Sequence, residues 1–228
     1  MKKLVLALFV SLIVAGCGGG GGSDTGTSAT PTAENTTAYS TTKLFPLNST
    51  ETTSFTLTGS DNKGGAWTGS WLLRGDGQTV YEGKNVTKIT QQIILKLTGP
   101  SGSATTSSNV ASYYNADRSL YKAIYSGTAS GYAVQTNGFI PSLSYKFGDV
   151  VTGPALTTII NGVTDHQTAT FRVTDGGNGN AKVTGTVTLA SGTTGTTEQI
   201  INPTGDLLSM RMVFNYPSGL IVTLNGSR

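Results

Sequence analysis

Cysteine occurs once in the 228 residues, at position 17, and histidine once, at position 166. One thiol excludes an intramolecular disulfide and the paired-cysteine redox and metal motifs, so stability has to come from an ordinary core. Zinc would have to be held by several carboxylates, and the acidic residues are scattered singly. Charge is scarce as well, at 12% of the chain, with no long run of either sign. No basic stripe is present to follow a phosphate backbone, which removes nucleic acid from the expected partners. What fills the space is glycine, serine and threonine, and this predicts an exposed face built from hydroxyls rather than ions.

The first residues form a unit of their own. Met1, Lys2 and Lys3 precede the mainly apolar run Leu4 to Val14, and the small residues Ala15 and Gly16 lead to Cys17. A charged start, an apolar middle and a small-residue exit read as a secretory signal peptide over residues 1–16. The run is too short for a spanning helix, which takes about 20 apolar residues. Val14-Ala15-Gly16-Cys17 resembles the lipobox of bacterial lipoproteins. That resemblance implies cleavage before Cys17, lipid on its thiol and attachment to a membrane. It also implies the outer membrane, because Gly18 stands where aspartate would favour inner-membrane retention. With Lys2 and Lys3 gone, thirteen basic residues face twelve acidic ones, and the domain is close to neutral.

Residues 17–50 read as a tether: Gly18 to Gly22 and the Thr-rich stretch after them offer little apolar surface for a core. The rest, 51–228, reads as one β domain. Phe55 and Leu57 alternate with threonines. So do Ala181, Val183, Val187 and Leu189, and Leu208, Met210, Met212 and Phe214 alternate with Ser209, Arg211 and Val213. This period of two is that of half-buried strands. Turn sequences punctuate them at Gly75-Asp76-Gly77, Asn115 to Arg118, Asn161-Gly162, Asp175 to Asn180 and Pro217-Ser218-Gly219. Every proline beyond the leader is assigned to the tether or to a strand boundary. The expectation is all-β: an antiparallel meander of ten to twelve strands closed as a sandwich or as a whole or partly open barrel. A Gly/Asp turn and a later Asn-x4-Leu recur at Asp76 to Leu120 and at Asp175 to Leu207. The echo reads either as two similar halves or as the self-likeness of any Thr-rich meander.

Few residues point to chemistry. His166 follows Asp165, but no Gly-x-Ser-x-Gly elbow marks a nucleophile. Asp175 to Asn180 has the Asp, Asn and Gly of a calcium loop but only one carboxylate. Glu82 and Glu198 could form an acid pair only if folding brings them together. The aromatic pattern is more specific: Trp67 and Trp71 share one face of a strand with Gly69 between them. Core packing is the default for such a pair, and an open platform for a sugar ring or acyl chain is the alternative. Tyr121 and Tyr125 are assigned to one face by the same spacing.

Together these features describe a membrane-tethered envelope lipoprotein, a non-enzymatic binding module for an apolar or carbohydrate ligand or for an envelope partner. It needs no cofactor or metal, and Trp67 and Trp71 are its candidate ligand contacts. A structural or adhesive surface module and an envelope hydrolase are the two alternatives.

Overall fold

The computed structural model describes residues 37–100 and 102–228; Cys17, the leader and most of the tether lie outside them. The chain forms β1 (Tyr39–Ser40), β2 (Thr52–Asp61), β3 (Ala66–Tyr81), β4 (Lys84–Gly99), β5 (Gly102–Tyr114), β6 (Leu120–Gly127) and β7 (Gly131–Gln135). It continues through β8 (Ser144–Tyr145), β9 (Val150–Ile160), β10 (Val163–Gly177), β11 (Asn180–Leu189), β12 (Thr194–Ile201), β13 (Leu207–Asn215) and β14 (Ile221–Ser227). Twelve of these close into an antiparallel barrel, β2 to β7 followed by β9 to β14, with β14 returning to pair with β2. Of the architectures open to the sequence, the closed barrel is the one formed.

Alternation decides which side chains fill it. Phe55 and Leu57 of β2, Trp71 and Leu73 of β3, Ile93 and Leu95 of β4 and their counterparts round the ring are buried in one continuous core. Thr56, Thr58, Thr68 and Lys96 occupy exposed positions between them. A barrel that spans a membrane carries an apolar band on its outer wall. Here the continuous apolar core is inside, and Thr56, Thr58, Thr68 and Lys96 are among the side chains that face outward.

Four irregularities correct the sequence reading, the first at Leu208, which is the extra residue between Leu207 and Ser209 in β13 and is exposed instead of sharing the buried face of Met210 and Met212. Gly75-Asp76-Gly77 is not a turn but a bulge inside β3, where Asp76 is the extra residue and Gly77 takes a φ of 77°. Pro154 is not at a boundary but within β9: Gly153 and Pro154 together face Ala169, and the bulge accommodates a residue that cannot donate to the ladder. Tyr121 is likewise the extra residue between Leu120 and Lys122. One added residue reverses parity, so Tyr121 points outward while Tyr125 is buried.

We call the end of the barrel where β2 begins the lower mouth. The turns at 82–83, 115–119, 178–179 and 202–206 lie there, and two segments close it. Residues 39–51, which lead into β2, cross residues 136–149, which lead into β9. They meet where β1 pairs with β8, Tyr39 opposite Tyr145 and Ser40 opposite Ser144. Leu44, Phe45 and Leu47 are buried beneath this crossing, and the Tyr39 ring stacks on Phe147 with centroids 5.1 Å apart. The packed domain therefore extends back at least to Tyr39, about a dozen residues before the boundary read from composition.

Two lower turns match in detail. Asn115 donates its backbone N–H to Ser119 O and accepts from Arg118 N; Asn202 does the same with Asp206 O and Gly205 N. Arg118 and Gly205 occupy equivalent left-handed positions, with φ of 72° and 85°. These turns lie six strands apart round the ring, the first between β5 and β6 and the second between β12 and β13.

Candidate lower-mouth cleft

A cleft of about 270 Å³ opens between the residues 39–51 segment, the Arg118 turn and residues 141–143. Phe45 and Leu47 give it an apolar floor, Pro141 and Leu143 one rim, and Thr41, Ser49 and Ser142 supply hydroxyls. Its position is built locally. The Thr41 hydroxyl donates to Ser142 O and its backbone N–H to Leu143 O, which joins the two crossing segments. Gly75 lets the floor approach the barrel wall, since a Cβ there would lie 1.8 Å from Ser49 O and 2.4 Å from Pro46 O.

Charge in the cleft is unevenly satisfied. Lys43 is committed: its Nζ lies 2.6 Å from Asp206 Oδ1. Asp206 also accepts from Asn202 Nδ2 and the Thr204 hydroxyl. The Lys43 bond and those two donors hold its carboxyl well below the usual carboxylate range. Arg118 is different, because its Nη1 is buried and has no hydrogen-bond partner among the described residues. An unpaired, desolvated guanidinium N–H is costly, and the structure places it beside a cleft. The backbone adds a second signal. A left-handed φ suits glycine, as at Gly205, and an arginine held there adds strain in exchange for the position of its side chain. Glu51 also lines the cleft, and its carboxylate has no ion-pair partner among the described residues.

The residues singled out from sequence lie elsewhere. Trp67 and Trp71 are 2% and 0% exposed, so neither indole offers an open platform. Trp67 Nε1 donates to Asp61 Oδ2, whereas Trp71 Nε1 has no partner among the described residues. His166 is on the outer wall, its Nδ1 3.1 Å from the Thr157 hydroxyl. Asp165 accepts from the backbone N–H groups of His166 and Ser191 instead of bonding the imidazole. Glu82 is held by Tyr121 and Lys122, and Glu198 by Arg211, so each carboxylate has its own separate partners. Asp175 accepts from Gly177 N in a tight turn. Among the described residues no three acidic, histidine or cysteine side chains converge as a metal site.

Sequence reasoning missed Arg118 and Glu51. The first was read only as part of a turn and the second as the start of the domain. One signal was available for Arg118: the matching turn has glycine where this one has arginine. Comparisons of the chain with family models, with curated proteins and with solved structures return no match.

Proposed function

We propose that this chain is a lipid-anchored protein of the bacterial cell envelope, held through Cys17 and carried on the outer membrane, whose barrel binds a ligand without transforming it. The single observation that carries the binding reading is the lower-mouth cleft itself, where Arg118, held at a left-handed φ of 72°, lines an apolar floor without an ion-pair partner among the described residues. Inward side chains from the barrel strands pack on one another. The ligand expected from sequence, apolar or carbohydrate, is assigned in this reading to the lower mouth, where Arg118 and the apolar floor meet. The anchor rests on the Val14 to Cys17 motif.

The test has two parts. Metabolic labelling with a fatty-acid analogue should mark the protein and should fail in the Cys17→Ser variant; equal labelling of both overturns the anchor. Native mass spectrometry of detergent-extracted protein should show a small co-purifying molecule that is lost in Arg118→Gln. A protein partner retained in both forms would favour the interaction-module reading.

A further inference from the structure

We infer that the lower-mouth cleft holds the phosphoethanolamine headgroup of a membrane lipid, seating the barrel mouth-down on a bilayer. The inference rests on the binding reading above and names its ligand. Arg118 and Glu51 line one cleft, yet neither forms an ion pair with the other or with another described residue. Lys43, the other cation in the lining, is already bound to Asp206. The charges in the lining without an ion-pair partner are thus one guanidinium and one carboxylate, and a ligand complementary to both carries an anion and a cation.

Chemistry narrows the choice. A phosphate suits the planar donor array of arginine. A primary ammonium can donate hydrogen bonds to Glu51, whereas a trimethylammonium has no N–H to give. A headgroup with no cation would leave Glu51 facing a like charge. At about 270 Å³ the cleft falls just below the range of pockets that enclose drug-sized ligands, which suits a headgroup rather than a whole lipid.

The surroundings supply the remainder of the lipid. Leu143 at the rim is 56% exposed, and Val80, Ile140, Val150 and Leu208 are large apolar side chains exposed at the same end. Apolar side chains around a polar headgroup contact match the boundary between headgroups and acyl chains. Position agrees. Tyr39, in the crossing that closes this mouth, is twenty-two residues after Cys17, so the proposed anchor joins the barrel on its mouth side.

The test uses the full chain with Cys17→Ser, so that no anchor contributes. Co-sedimentation is measured with vesicles of phosphatidylcholine alone, of phosphatidylcholine with phosphatidylethanolamine, and of phosphatidylcholine with phosphatidylglycerol. Soluble glycerophosphoethanolamine is titrated in parallel by NMR. Binding to ethanolamine-containing vesicles should exceed binding to pure phosphatidylcholine by about tenfold, the weight of a charged hydrogen bond. Glu51→Gln should erase that preference. Arg118→Gln should weaken binding to ethanolamine vesicles about fivefold or more, and Arg118→Lys should recover part of it; an unchanged unfolding midpoint certifies that each variant folds. Leu143→Ser should lower vesicle binding but not binding of the soluble headgroup. Equal binding to all three vesicles, or no effect of Arg118→Gln in a folded protein, overturns the site. Binding of the soluble headgroup without vesicle binding overturns the membrane seating. Failure of fatty-acid labelling would sink the anchor alone, since the protein tested here carries no lipid.

Discussion

The indole Nε1 of Trp67 donates to Asp61 Oδ2 at 2.9 Å, joining the first residues of β3 to the last residue of β2 across the turn between them. The same carboxylate accepts the backbone N–H groups of Lys63 and Gly65. Burial pushes the Asp61 carboxyl upward, but the bonds from Gly65, Trp67 and Lys63 outweigh it and hold the group below its ordinary range. A depressed folded-state value means that ionised Asp61 stabilises the fold above its unfolded value of about 3.9, and that this contribution disappears as pH falls through the folded value. Urea unfolding of the parent should therefore show an acid-side loss that is smaller in Asp61→Asn.

The two tryptophans should respond differently to the same substitution. Each loses comparable volume on replacement by phenylalanine, but only Trp67 gives up a hydrogen bond, leaving Asp61 Oδ2 without that donor. Trp67→Phe should cost about 1–3 kcal/mol more than Trp71→Phe, because leaving a polar partner unsatisfied is the expensive event. Either residue changed to alanine should cost about 3–5 kcal/mol, as expected of buried aromatics. Chemical denaturation midpoints measure both comparisons. Two alanine variants within about 0.5 kcal/mol of the parent would contradict the buried positions.

Residues 37–50 should behave as part of the domain. A chain beginning at Thr37 keeps this packed segment and serves as the reference. One beginning at Glu51 loses buried Tyr39, Leu44, Phe45 and Leu47 and should fall by several kcal/mol, at about 1.5–3 kcal/mol for each large side chain. Equal midpoints would restore the boundary drawn from composition.

Close approach at Gly75 offers a finer probe of the same contact. A methyl group there meets two backbone carbonyls of the residues 46–49 stretch, which cannot swing aside as a flexible side chain would. Gly75→Ala should destabilise by about 1–3 kcal/mol and should speed hydrogen exchange in residues 44–49 more than in β10 or β11. Uniform exchange across the chain would count against this picture.

How much of this was legible beforehand follows from the period of each signal. Alternation at Phe55 and Leu57, or at Met210, Met212 and Phe214, is local and two-residue, so strands and their buried faces could be read directly. The bulges could not. Gly75-Asp76-Gly77 has the composition of a turn, and only its pairing with Ile89 and Lys88 makes it a kink within a strand. Tyr121 and Tyr125 were given one face by even spacing, and an inserted residue separated them. Leu44, Phe45 and Leu47 lie in a short, irregular stretch whose burial depends on the distant residues 136–149. Arg118 was hidden for the same reason: its neighbours in the cleft come from both ends of a long sequence separation. Closure itself, a sheet meeting its own first strand, leaves no mark on any local window.

That closure constrains the order of assembly. The first barrel strand, β2, finds one of its two partners only in β14, the last strand of the sequence, through Leu57 opposite Gly226 and Thr56 opposite Ser227. The seam therefore joins segments 161 to 171 positions apart, the slowest kind of contact for a chain to make. Until synthesis and delivery of the final residues are complete, β2 and β13 each retain an unpaired edge able to recruit strands from other chains. Loss of β14 would leave that hazard permanent, so this seven-residue strand is the latch against aggregation.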